Sequence, residues 1–269
     1  MKTGALLAGL FFAFVASKPA PARAEDIISG IGLTHLTVYD QRTAPDGKMS
    51  GSPHVHAVTD EGYYVISGHG RVELHDLESG FRTVDLEPGR YLQFPPGTLH
   101  RLVNTDHLVL LVVMGNAGLA ERGDARIYFG QAVDEDPDEY GRLAGLAKAK
   151  GLEGALARRD AAVRAYVGFL ELWTKDQPAY YAELARFIRV HLKAAASQVS
   201  SFGRAVERGP MAWGLRFRKR LEKLPGASVE SAPILHIPAG ETTLGMCGIL
   251  RPVTSFEPVG PAKDTGVKK

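Results

Sequence analysis

Three histidines and one glutamate have side chains and spacing that could bind a metal ion. His54 and His56 lie two residues apart, so on a β-strand both imidazoles would point to the same face. Glu61 follows after a short turn and would face the same interior from the next strand, and His100 comes just after the Pro-Pro-Gly turn at 95–97. Three imidazoles and one carboxylate suit a divalent transition metal. The alternative is that these are hydrogen-bonded structural histidines.

Short β-strands are expected to position these residues. Between residues 32 and 129 the sequence consists of short β-type runs that are broken by Pro- and Gly-containing turns, without helical patterns between them. Gly68 and Gly89 are expected in tight turns. Runs this short and frequent predict an antiparallel sandwich or barrel.

The sequence changes character near residue 134. The acidic stretch 134–139 predicts a linker, and the segments 152–173 and 179–206 then keep apolar residues at helical spacing. Residues 232–256 return to a β-like pattern, which would need a sheet partner to satisfy its backbone. The final stretch, GPAKDTGVKK, is expected to be frayed.

Two stretches of the chain resemble the sequence motifs of the cupins. Four residues match the first motif, G(X)5HXH(X)3–4E(X)6G, from its first histidine onward: His54, His56, Glu61 and Gly68. The leading glycine of that motif is displaced, with Gly47 and Gly51 on either side of its expected position. Five residues match the second motif, G(X)5PXG(X)2H(X)3N, in full: Gly89, Pro95, Gly97, His100 and Asn104. The resemblance covers about residues 33–114.

The resemblance implies a mainly β protein, an antiparallel jelly-roll β-barrel followed here by a helical segment that the family does not explain. It also implies that His54, His56, Glu61 and His100 bind one divalent transition metal ion, which could be Fe, Mn, Zn, Ni or Cu. Four protein ligands would leave one or two positions open on such an ion for water, substrate or dioxygen. The sequence identifies no catalytic residue and no organic cofactor site.

The first residues have the features of a signal peptide. Lys2 precedes an apolar run at 5–16, and an A-x-A sequence at 22–24 precedes Glu25. Because the run is too short to cross a bilayer, export to the periplasm or the medium is expected, with an uncleaved membrane anchor as the alternative. The expected organisation is a signal peptide at 1–24, a cupin barrel at 25–133, a helical region at 134–225, and a β-like segment with a disordered tail at 226–269.

Composition excludes several classes of partner. The chain has 32 Lys+Arg and 30 Asp+Glu, a balance that argues against nucleic-acid binding. Because no other stretch approaches the length of a membrane span, stable membrane insertion is not expected after cleavage. The expected partner is a small-molecule ligand or substrate, and the protein could form a homo-oligomer. The single cysteine, Cys247, excludes an intramolecular disulfide and is expected to be buried.

The other notable side chains favour structural interpretations. Tyr63, Tyr91 and Gln93 could either line the cavity or pack elsewhere. The basic residues at 216–220 predict a solvated helix end, and the aromatic residues between 166 and 187 predict packing between helices. Six further histidines are expected to be ordinary surface residues: His35, His69, His75, His107, His191 and His236.

Three functional hypotheses follow from the sequence. The first is a metal-dependent enzyme, for which the resemblance suggests oxygenation, decarboxylation or isomerisation of a small oxygenated molecule. The second is non-catalytic, metal-dependent binding of a small molecule or sugar. The third is a structural protein whose helical region contacts a partner.

Overall fold

The computed structural model describes residues 27–115, 119–226, 233–238 and 242–259. The expected signal peptide and the expected frayed tail lie outside these residues. The strands are β1 (Gly32–Val38), β2 (Met49–Ser50), β3 (His54–His56), β4 (Glu61–Asp76), β5 (Gly80–Leu86), β6 (Tyr91–Phe94), β7 (Leu99–Met114), β8 (Ala125–Ile127), β9 (Ile234–His236), β10 (Thr243–Leu244), β11 (Gly248–Pro252) and β12 (Phe256–Pro258). The α-helices are α1 (Gln131–Asp134), α2 (Pro137–Ala144), α3 (Leu146–Lys175), α4 (Gln177–Ala196), α5 (Val199–Val206) and α6 (Ala212–Glu222).

The long strand β7 organises the main antiparallel sheet. It pairs with β1, β2, β3 and β4, while β5 and β6 pair with β4. The pairings of the described strands leave the sheet open, without closing it into a complete barrel. The predicted fold class, an antiparallel β architecture followed by a helical segment, is confirmed. Helices account for more of the described residues than strands do.

Alternating apolar residues on the strands build the core of the sheet. Leu36, Val65, Val72, Leu102 and Leu110 are all buried in one cluster, because the period-two pattern sends every second side chain to the same face. This cluster fixes the register of β4 against β7, since a slip by one residue would expose the apolar set.

Gly68 lies at a bulge, and the expectation of a tight turn is wrong for this residue. The pairing of β4 with β7 shifts register on either side of Ser67, and Gly68 has a φ of +75°. A Cβ at this position would lie 2.2 Å from the carbonyl oxygen of His107, so only glycine fits without backbone movement. Gly89, with a φ of +85°, does occupy the turn before β6.

The acidic stretch 134–139 is not a linker. Asp134 ends α1 and is buried, where its carboxylate accepts a hydrogen bond from the backbone N–H of Phe129 (3.0 Å) and pairs with Arg186 of α4 (3.0 Å). Asp136 caps α2 by accepting from two backbone N–H groups. Asp134 therefore connects α4 to the segment that follows β8, and Asp136 stabilises the start of α2, so the acidic stretch is part of the packed helical region.

A buried aromatic cluster joins α3 and α4 to the sheet. His75 of β4 contacts the hydroxyls of Tyr180 (Nδ1, 2.9 Å) and Tyr166 (Nε2, 2.6 Å). Val55 and Leu99, from β3 and β7, pack into the same cluster. The helical aromatics therefore pack against the sheet as well as against each other.

Two of the histidines expected at the surface are buried. His75 is fully buried and His191 of α4 is 2% exposed. The expectation fails for both because their burial depends on elements far apart in sequence: His75 lies under α3 and α4, and His191 packs against the loop before β8.

Stability is expected to fall as the pH drops from about 6.5 towards 4. Burial lowers the pKa of His75 to about 3 and that of His191 to about 4, whereas each titrates near 6.5 in the unfolded chain. In that window only the unfolded state binds the proton, so each histidine costs about 1.4 kcal/mol of stability per pH unit. Urea unfolding across this pH range measures the effect. The stability of His75→Gln is expected to fall by about 1.4 kcal/mol less per pH unit than that of the wild type. An unchanged pH dependence would contradict a buried, neutral His75.

The C-terminal segment returns to the sheet, as its β pattern predicts. Strand β11 pairs antiparallel with β1, from Thr34 opposite Pro252 to Val38 opposite Gly248. Cys247 is buried in the core cluster of the sheet, which confirms the expectation for this residue. None of the described helices combines the length and apolar character that crossing a bilayer requires.

Candidate metal centre

The fold brings the four predicted ligands into one buried cluster. His54 and His56 lie on β3, Glu61 begins β4, and His100 lies on β7 directly opposite His54. One ligand atom of each residue lies within 4.8 Å of those of the other three. Residues separated by up to 46 positions in the chain therefore converge at one point inside the sheet structure.

The imidazole nitrogens converge on the glutamate carboxylate. Oε2 of Glu61 lies 3.2 Å from Nε2 of His56 and 3.1 Å from Nε2 of His100. Nε2 of His54 lies 3.1 Å from Nε2 of His100. These are the atoms that would coordinate an ion.

The opposite nitrogen of each ring is held by an acceptor. Nδ1 of His54 lies 3.0 Å from the carbonyl oxygen of Ser52, and Nδ1 of His100 lies 3.0 Å from that of Thr98. Because a carbonyl oxygen can only accept, each Nδ1 carries the proton and donates. The lone pairs of Nε2 are thereby left facing the centre of the cluster, as metal-ligating histidines require.

The residues present fit a metal ion. Nε2 of His56 and Oε2 of Glu61 are buried and lie 3.2 Å apart, yet neither atom makes a hydrogen bond of acceptable geometry. The Nε2 atoms of His54 and His100 face each other as two acceptors when both Nδ1 atoms donate. Buried acceptors without donors are costly, and a divalent cation would satisfy all four together.

The electrostatics favour an ionised carboxylate in the cluster. Burial raises the pKa of Glu61, but His100 and His56 outweigh this and hold it well below its usual value. Burial, with help from His100 and His56, holds the pKa of His54 well below its usual value. Burial also lowers the pKa of His56, yet Glu61 and Asp124 outweigh it and raise this pKa to about 9. An anionic Glu61 and a neutral His54 are the forms that bind metals, and the proton that His56 holds in the absence of an ion must leave before its Nε2 can coordinate one.

Asp124 orients His56, and the sequence analysis missed it. Its Oδ2 lies 3.0 Å from Nδ1 of His56, and its Oδ1 accepts from the backbone N–H groups of Ala57 and Val58. His191 of α4 lies 2.6 Å from the carbonyl oxygen of Asp124, so the helical region supports this contact. Asp124 lies 68 residues beyond His56 in a turn, and no local pattern connects the two.

A mostly apolar cavity of about 630 Å³ opens beside the cluster, and its lining includes His54, His56 and Glu61. Its walls come from β1, the C-terminal segment and Arg158 of α3. Sγ of Cys247 lies 4.0 Å from the ring nitrogens of His54. The three residues named as possible cavity lining do not line this cavity. Tyr63 is buried in the core of the sheet beside the cluster, with its ring centroid 6.3 Å from that of His100, and Tyr91 and Gln93 are exposed.

Comparison with protein families identifies the sheet that carries this cluster. A family profile described as "Cupin domain" matches residues 41–114, which include all four clustered residues. The protein contains a cupin domain. The resemblance seen in the two sequence motifs is therefore confirmed for this part of the chain. A comparison with curated protein sequences gives no significant match.

Solved structures similar to the cupin domain share little sequence with it. The sugar 3,4-ketoisomerase QdtA from Thermoanaerobacterium thermosaccharolyticum, in a mutant form bound to TDP, is 17% identical over 31% of this chain and 57% of that one, with a TM-score of 0.26. A cupin protein from Bacteroides fragilis is 17% identical over 41% of this chain and 88% of that one, with a TM-score of 0.26. CapF from Staphylococcus aureus is 15% identical over 40% of this chain and 27% of that one, with a TM-score of 0.27. This chain spans little more than half the length of QdtA in that match.

Proposed function

We propose that the cupin domain binds one divalent transition metal ion through His54, His56, Glu61 and His100 and acts on a small oxygenated molecule in the adjoining cavity. The observation that carries this proposal is the convergence of four buried acceptor groups, three of them oriented by hydrogen bonds on their far side. A bound ion would supply Lewis-acid chemistry or dioxygen activation.

The protein side chains would hold and tune the site. Three Nε2 atoms provide neutral ligands, and Glu61 provides the single negative charge. Asp124 fixes the ring of His56 and increases its basicity through the shared proton. The apolar walls of the cavity limit access of water to the reacting molecule. Oxygenation, decarboxylation and isomerisation are all compatible with this arrangement.

Non-catalytic, metal-dependent binding of a small molecule or sugar is the second candidate. Besides the clustered ligands, the titratable groups that line the cavity in the described part of the chain are Arg122, Arg158 and Cys247. Burial raises the pKa of the Cys247 thiol well above its usual value, so the thiol does not serve as a base near neutral pH. A binding protein has no need of a separate acid or base, and this observation favours the second candidate.

Turnover by the metal-loaded protein distinguishes the two candidates. The purified protein would be reconstituted separately with Fe, Mn, Zn, Ni and Cu and incubated with a metabolite extract in air. We expect at least one metal form to deplete a small oxygenated compound, whereas the His100→Ala variant leaves it unchanged. Loss of a compound into a complex, without any product, would instead identify a binding protein.

We propose further that the protein is exported through the general secretory route to the periplasm or the medium. The support is the apolar run at 5–16 followed by the A-x-A sequence at 22–24. Intact-mass measurement of the exported protein is expected to give a chain that begins at Glu25. A membrane-bound product that retains Met1 would contradict the proposal.

A further inference from the structure

The cavity beside the cluster combines apolar walls with a buried cation. Five of its larger lining side chains come from β1, β7 and the C-terminal segment: Leu33, Val112, Leu244, Met246 and Leu250. Arg158 of α3 lines the same cavity and is 8% exposed. A guanidinium is always charged near neutral pH, and its charge is costly to bury without compensation.

The charge of Arg158 is only partly compensated. Its Nη2 donates to the carbonyl oxygen of Gly245 (2.6 Å), which is a neutral acceptor. Its Nε is buried and has no hydrogen-bond partner. Among the described residues, no carboxylate lies within ion-pair distance of Arg158, whereas its neighbour Arg159 pairs with Asp160 (2.7 Å).

The metal cluster adds to this positive charge. Three neutral imidazoles and one carboxylate around a divalent ion leave a net positive centre, a step that rests on the proposed function. Sγ of Cys247 lies 4.0 Å from His54, and Arg158 donates to the carbonyl oxygen of Gly245, two residues before Cys247 in the same cavity wall, so the two charges lie at the same part of the cavity. An apolar cavity with positive charge favours a ligand that is both apolar and anionic.

We infer that the cavity binds an organic carboxylate whose apolar body contacts these walls and whose anionic group pairs with Arg158. A guanidinium matches a carboxylate in shape as well as in charge, because its planar N–H groups can donate in parallel. The inference also gives the helical region a role in the site: α3 supplies the group that selects for an anion. No part of either cupin motif contains this residue.

A pair of matched probes tests the inference in the metal-free protein. Calorimetry would compare 4-phenylbutyrate with 4-phenylbutanol, which has the same apolar body without the charge. The wild type is expected to bind the acid more tightly than the alcohol. Arg158→Met is expected to weaken binding of the acid by about tenfold or more, with the alcohol unchanged. Arg158→Lys, which keeps the charge, is expected to recover part of the loss.

Tyr39→Phe is the control for the structural role of Arg158. The Tyr39 hydroxyl donates to the same Gly245 carbonyl (2.9 Å) and also interacts with Arg158, so this variant perturbs the surroundings of Arg158 while keeping its guanidinium. Its affinity for the acid is expected to equal that of the wild type. Three results would each overturn the inference. The wild type could bind both probes with equal affinity, Arg158→Met could lose affinity equally for the acid and the alcohol, or Tyr39→Phe could lose as much affinity for the acid as Arg158→Met does.

Metal content separates this inference from the proposed function. Elemental analysis of the reconstituted proteins is expected to give the same occupancy for Arg158→Met as for the wild type, because Arg158 is not a ligand. If the protein retains metal but binds 4-phenylbutyrate no more tightly than 4-phenylbutanol, the carboxylate site is refuted and the proposed metal function is not. A clear preference for the acid in a protein that never retains metal would support the anion site and refute the proposed metal function.

Discussion

His56→Ala and His100→Ala are each expected to abolish metal occupancy of the purified protein. Each substitution removes one of three converging Nε2 ligands, and within the described residues the group of possible ligand side chains contains only His54, Glu61 and these two. Elemental analysis after reconstitution with a single metal would measure the loss. The effect should be the same for Zn, Ni and Cu, since all of these ions accept imidazole ligands.

Glu61→Gln is expected to weaken metal binding less than either histidine variant. The amide oxygen could still coordinate, but the negative charge that stabilises a divalent cation in a buried site is lost. His69→Ala is the matched control, because His69 is exposed and lies 3.6 Å from Asp106, away from the cluster. If the wild type retains no metal, or if His69→Ala loses it as completely as His56→Ala, the ligand assignment is wrong.

Asp124→Asn is expected to lower metal affinity by about 10- to 100-fold although Asp124 does not touch the ion. The carboxylate accepts the Nδ1 proton of His56 and two backbone N–H groups. An asparagine that keeps its oxygen on the backbone would turn its NH₂ towards His56. The ring would then be protonated on Nε2, the nitrogen that must bind the metal. Competition with a calibrated chelator would measure the change in affinity.

Asp134→Asn provides the control for a general effect of removing a buried acid. Asp134 also accepts a backbone N–H hydrogen bond, from Phe129, but it pairs with Arg186 and lies outside the cluster. This variant is expected to lower the free energy of unfolding while leaving metal affinity unchanged. Equal losses of affinity in both variants would show that Asp124 acts only through overall stability.

The candidate ligands could be read from the sequence because their geometry is mostly local. Side chains two residues apart on a strand point to the same face, so the shared orientation of His54 and His56 follows without any knowledge of the fold. The strand before His100 and its Pro-Pro-Gly turn are also local features. The antiparallel architecture followed from the short, frequent β-runs, since strands of this kind pair with their neighbours.

Residues that depend on distant contacts could not be found in this way. Asp124 meets His56 across 68 positions, and His75 meets Tyr166 and Tyr180 across 91 and 105. Nothing near these residues in the sequence distinguishes them from ordinary surface groups. The contacts of His75 come from the packing of α3 and α4 on the sheet, and that of Asp124 comes from the pairing of β8 with β3.

The sequence by itself determined the candidate ligand set and the β pattern that carries it, because strand periodicity and turn chemistry act over a few residues. Only the tertiary structure decided how the site is completed. It brought the C-terminal segment back beside β1, placed Arg158 in the cavity wall and set Asp124 behind His56. These contacts are stabilised by burial of apolar surface between elements far apart in the chain, and such burial leaves no signature in the local order of residues.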